Sequence, residues 1–115
     1  MPSYADLAAD LLNEAGSFFV RVSQNRPDIL PQMEDNAATF HRMAELIKND
    51  PDGSVEHLTH GEMAARLLED AALFFESVAK ENPPIAEQMI ENAAIFRQIG
   101  EQVRVNPAQS VPEEG

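Results

Sequence analysis

The side chains here that could do chemistry are carboxamides, carboxylates and a few histidines. Gln32 and Asn36 stand one helical turn apart, and Gln88 and Asn92 repeat the spacing further along. A carboxamide offers donors and acceptors without charge, so these four, gathered in an apolar setting, would line a polar pocket for a small ligand. An unpaired core amide costs on the order of 1–3 kcal/mol. The same residues could therefore pair with each other instead, Asn36 facing Asn92, or cap a backbone carbonyl, and so set the register of packed helices. Both alternatives stand at this point.

Carboxylates recur at matched places, Glu14 with Asp70, Asp35 with Glu91 and Glu45 with Glu101. A cage of Glu14, Asp35, Asp70 and Glu91 would resemble the carboxylate metal site of a helical bundle. Such sites also take Glu-x-x-His from two of their helices, and the chain contains no such motif. His57 and His60 are spaced i, i+3 beside Glu56, a weak metal signal in a turn. His41 is expected to point outward, with Arg97 at the matching place. No nucleophile has a base in sequence reach, and there is no glycine-rich phosphate loop or basic aromatic stripe. The lack of cysteine removes disulfides, zinc-thiolate sites and thiol catalysis. The expectation is a protein without enzymatic activity, cofactor or bound metal.

The elements that would position these residues come from an internal repeat. Sliding the chain against itself by about 56 residues aligns Leu7–Pro51 with Met63–Pro107 without a gap, and roughly 18 of those 45 positions are identical. Phe18-Phe19 falls on Phe74-Phe75, Pro27 on Pro83, Gln32-Met33 on Gln88-Met89, and Asn36-Ala37-Ala38 on Asn92-Ala93-Ala94. Ser3 followed by Asp6, and Thr59 followed by Glu62, read as matching helix N-caps. Pro27 and Pro83 interrupt each repeat near its middle, with Asp28 and Asn82 as candidate caps for the second helix of each repeat. The pattern predicts helices over 4–25, 29–49, 60–81 and 84–105, paired by short turns into two antiparallel hairpins. The expected fold is an all-α four-helix bundle made of two tandem-duplicated antiparallel helical hairpins with pseudo-twofold symmetry. Residues 1–107 form the single domain, with repeats over 3–51 and 59–107. Asn49–Ser54 reads as a turn-rich linker, and 108–115 as a disordered acidic tail.

Helical periodicity assigns the faces. The first helix buries Tyr4, Leu7, Ala8, Leu11, Leu12, Ala15, Phe18, Phe19 and Val22, and the third repeats this from Met63 to Val78. The second buries Ile29, Met33, Ala37, Phe40, Ala44 and Ile47, and the fourth Ile85, Met89, Ala93, Phe96, Gly100 and Val103. Asn36 and Asn92 fall within these apolar arcs. Leu73 and Ile90 fall outside them, where the first repeat has Ser17 and Glu34. With Ala86 and Ala94 they would make one exposed apolar patch, of the kind a dimer or a partner helix covers. Val20 and Leu30 would form a smaller patch on the first hairpin.

Composition narrows the partners. Twenty acidic against eight basic residues leave a net charge of −12, which repels phosphate backbones and anionic headgroups. No apolar run approaches the roughly 20 residues that span a bilayer. The expectation is a cytoplasmic protein that binds neither nucleic acid nor membrane. Its first expected role is protein interaction or structural support, as a homo-oligomer, in the first instance a dimer, or with another protein. A bundle binding a small ligand through the Asn/Gln layer is the alternative, and a carboxylate metal bundle the second alternative.

Overall fold

Ser3 begins the first helix by satisfying amides that have no partner within it. Its Oγ accepts the Asp6 N–H at 3.1 Å, and the Asp6 carboxylate accepts the Ser3 N–H at 3.1 Å. Thr59 and Glu62 do the same at 3.0 Å each, 56 residues on. A cap of this kind is typically worth about 1 kcal/mol. The computed structural model describes residues 3–109. Four α-helices run Tyr4–Val22 (α1), Leu30–Asn49 (α2), His60–Glu81 (α3) and Ala86–Val105 (α4). The fold is the expected all-α four-helix bundle.

α1 stops three residues earlier than its periodicity suggested. Ser23 is fully buried, and its hydroxyl donates to the Phe19 and Val20 carbonyls at 2.9 and 3.0 Å. Its own N–H closes on Val20, so the chain tightens into turns that run to Pro27 and beyond. α3 has Ala79 at the matching place and continues to Glu81. The caps expected at Asp28 and Asn82 are not formed: α2 and α4 start after Ile29 and Ile85 without a side-chain cap. Asp28 lies 3.7 Å from Arg26, and the Asn82 amide turns back to donate to the Val78 carbonyl at 2.9 Å. Pro31 stands in the first turn of α2, where its missing N–H costs nothing. Pro83–Ile85 forms a single 3-10 turn ahead of α4.

The linker holds structure that periodicity does not signal. Ser54–Val55 (β1) and Leu58–Thr59 (β2) pair antiparallel around a turn in which Glu56 has φ 56°. The His60 N–H donates to the Gly53 carbonyl at 2.8 Å. The other end of the chain makes the matching contact, the Tyr4 N–H donating to the Gln109 carbonyl at 2.9 Å and the Ala5 N–H to Pro107 at 2.8 Å. Residues 106–109, including the first two of the expected disordered tail, therefore tie down the start of α1. Residues 110–115 lie outside the described residues.

α1 packs along α2 and α3 along α4, and the hairpins meet mainly where α1 touches α3 and α4 and where α2 touches α3. The overall extents of 38 × 35 × 22 Å fit hairpins that cross face to face, since parallel helices of about 30 Å would make a narrower rod. All six phenylalanines join one chain of edge-to-face contacts through the centre. Phe19 meets Phe40 at 4.9 Å and Phe74 at 4.8 Å, and Phe75 meets Phe18 at 5.2 Å and Phe96 at 4.8 Å. Phe18 and Phe74 close the chain at 6.1 Å. Small residues between the rings let the backbones approach. A Cβ on Gly61 would run into the Val103 carbonyl, so only glycine fits there. Two apolar positions depart from the expected core. Val22, the last residue of α1, and Ile85, the last of the 3-10 turn, are 37% and 39% exposed. Ala5, Ala9, Met43, Ala72 and Ala79 are buried in addition, because each helix is covered on two sides.

Candidate ligand grooves and an outward face of the second hairpin

The crossing of the hairpins leaves two grooves, and each takes one of the two repeated asparagines. Asn92 lines a groove of about 570 Å³ between α1 and α4, over Leu11, Phe18, Phe75 and Phe96. Asn36 lines a groove of about 220 Å³ between α2 and α3, over Phe19, Phe40, Leu67 and Phe74. The floors match position for position under the 56-residue offset. The two asparagines are half-buried and look into different grooves, so they do not face each other. Gln32 and Gln88 are exposed. A single layer of four amides is thus not formed, because the crossing angle carries α2 and α4 to opposite sides. In the larger groove Glu14, Ser17 and Arg21 make the rim, with the Arg21 guanidinium 5.5 Å from the centre of the Phe18 ring.

The same crossing separates the carboxylates. Glu14 borders the α1–α4 groove and Asp70 the α2–α3 groove. Among the described residues, no three His, Cys, Asp or Glu side chains gather as a metal site. His60 is buried, its Nδ1 2.7 Å from the Asp50 carbonyl, while His57 is exposed. His41 is exposed as expected, and its Nδ1 lies 2.7 Å from the Asn13 Oδ1.

The outward face of the second hairpin is built around Arg97. Its Nε donates to Glu69 at 2.7 Å, and its two terminal nitrogens donate to Glu76 at 2.6 and 3.1 Å. Glu69 and Glu76 stand one turn on either side of Leu73, so the clamp passes beside that leucine. The bidentate bond from Arg97 holds the Glu76 carboxyl below its ordinary value of 4.5. The backbone N–H of Thr59 does the same for Glu62, and Glu101 raises Arg104 above the usual arginine range. Both partners of each pair remain in water, so these pairs shape the surface more than they stabilise it.

Leu73 is 52% and Ile90 55% exposed on this face. Ile90 precedes Arg97 by two helical turns on the same stripe of α4. Ala94 is exposed, whereas Ala86 is half-buried against the core. Ile95 and Val105 are also exposed, at 49% and 57%. The positions matching Leu73, Ile90, Ile95 and Val105 in the first hairpin are Ser17, Glu34, Thr39 and Asn49. Val20 and Leu30 are half-buried. Periodicity alone misses the charge pattern around Leu73, although its signal is in the sequence: Glu62, Arg66, Glu69, Glu76 and Lys80 succeed one another mostly at helical spacings of three or four residues, with Leu73 filling the one gap of seven. It becomes a surface only once α3 and α4 lie side by side. Comparison of the chain with protein-family models, with curated proteins and with solved structures gave no match. No helix among the described residues is long and apolar enough to cross a membrane.

Proposed function

We propose that the chain is a non-enzymatic protein-interaction module, and that the outward face of α3 and α4 is its contact surface. The observation that carries this reading is the exposed pair Leu73 and Ile90, held beside a prearranged Arg97 clamp, where the matched positions of the first hairpin are polar. Apolar side chains on otherwise charged helices contribute little to the fold and gain by being covered. The reading treats the hairpins as copies of one duplicated unit, on the strength of the gapless alignment. The cysteine-free composition fits a reducing compartment, and on that ground we assign the protein to the cytoplasm.

Cross-linking in a lysate of the source cells, with adducts identified by mass spectrometry, tests the reading. The wild-type chain is expected to cross-link to a protein, itself or another, through α3 or α4. Leu73→Glu/Ile90→Glu should abolish the adduct and leave the helix content by circular dichroism unchanged. Equal cross-linking by the variant would contradict the reading.

The apolar floor of the α1–α4 groove, with Asn92 on its wall, supports a second reading as a small-ligand site. Asn92→Leu should then lose a co-purifying small molecule detectable by native mass spectrometry. A variant of equal or higher stability with nothing lost would leave Asn92 a structural role only.

A further inference from the structure

We propose that the partner covering the α3–α4 face is a second copy of this chain. This rests on the interaction reading above and adds the identity of the occupant. Its ground is local charge. With a net charge of −12, two copies repel each other over most of their surfaces. They can approach only through a face where that repulsion is absent.

The outward stripe of the second hairpin is such a face. Glu62, Arg66, Glu69, Arg97, Glu101 and Arg104 line one shallow depression between α3 and α4. Glu76 joins through Arg97, and Lys80 follows Glu76 by one turn of α3. That is four carboxylates against four cations, and it gathers every Lys and Arg found after Leu58. Along α3 a carboxylate stands one turn on either side of Leu73, Glu69 and Glu76, and a cation one turn beyond each, Arg66 and Lys80. The matched positions of the first hairpin carry Asp6, Asp10, Glu34 and Glu45 against Lys48 alone, with Asn13, Ser17, Val20, Gln24 and His41 between them. The second hairpin thus has both the apolar pair and electroneutrality at positions where the first has neither.

Neutrality selects the occupant. A basic partner would find stronger attraction elsewhere on so acidic a chain, and an acidic partner would be repelled by the whole molecule. A neutral face with an exposed apolar pair spares a second copy the net repulsion of the rest of the chain, so a twofold contact between identical surfaces can form there.

Light scattering on the purified full chain over a range of concentrations tests the proposal. The wild type is expected at twice its 12.7 kDa mass. Leu73→Ser/Ile90→Glu installs the first hairpin's residues and should raise the dimer dissociation constant by about 100-fold or more. Arg66→Glu/Arg104→Glu keeps the apolar pair but makes the face acidic, and should have an effect of similar size. Both variants alter surface positions only, and far-ultraviolet circular dichroism should show wild-type helix content. Lys48→Glu on the first hairpin should leave the dimer intact. A wild type that stays at 12.7 kDa overturns the proposal, as does a dimer that either double variant retains. If the chain is monomeric while lysate cross-linking still depends on Leu73 and Ile90, only the identity of the partner has failed and the interaction reading stands.

Discussion

On the first hairpin Asn13 and His41 meet across α1 and α2 at 2.7 Å, at the place where the second hairpin sets Glu69 against Arg97. Two turns on, Val20 stands where Glu76 takes the other side of the arginine fork. The inner faces tell the opposite story. Phe19 on Phe40 and Phe75 on Phe96 have ring separations of 4.9 and 4.8 Å and are both edge-to-face, and both hairpins begin with the same reciprocal cap. Inside, the hairpins solve one packing problem in the same way. Outside, the first presents a polar, acidic stripe and the second a neutral stripe with an apolar centre. Identity between the repeats therefore follows the folding core, and divergence between them falls on the face proposed as the contact surface.

The likeness of the interiors is open to the hardest test. Phe19→Ala and Phe75→Ala should each destabilise the chain by about 3–5 kcal/mol in chemical denaturation, since each removes a buried ring with two aromatic neighbours. Costs differing by more than a factor of two or so would break the comparison on its inner side. A smaller effect separates the helix starts. Gly61→Ala should cost about 1–3 kcal/mol, because the added methyl meets the Val103 carbonyl. The first hairpin already carries alanine at the matching position, Ala5, and buries it without difficulty.

The smallest effect belongs to the outer faces and depends on pH. The folded chain holds Glu76 below 4.5, so its bond to Arg97 favours folding above that value and is lost as pH falls through the lowered one. Glu76→Gln should therefore melt slightly below wild type near neutrality, and the difference should vanish in acid. A difference that grows on acidification would mean that Arg97 does not hold this carboxylate in solution.

Much of the fold was legible because it is local. Ser3 with Asp6 and Thr59 with Glu62 announce two helix starts, and the repeated Phe and Ala positions announce the buried stripes. The features that escaped depend on contacts between distant residues or on competition at a single atom. The early end of α1 comes from the Ser23 hydroxyl taking two carbonyls, while periodicity alone runs past it. The docking of residues 107–109 on the start of α1 depends on the chain ends meeting in space. The separation of Asn36 from Asn92 depends on a crossing angle that no spacing within one helix encodes. At the candidate site, the exposure of Leu73 and Ile90 could be read from the helical wheel. The neutrality around them required α3 and α4 to be placed together.

The most direct test of the outer-face claim is a dilution series monitored by amide chemical shifts in a ¹⁵N-labelled sample. Self-association through this face predicts concentration-dependent shifts along the outer stripe, at Arg66, Leu73, Ile90 and Arg97, with Ser17, Glu34 and His41 unmoved. Shifts of equal size on both hairpins, or none at any concentration in a sample that stays at monomer mass, would contradict it.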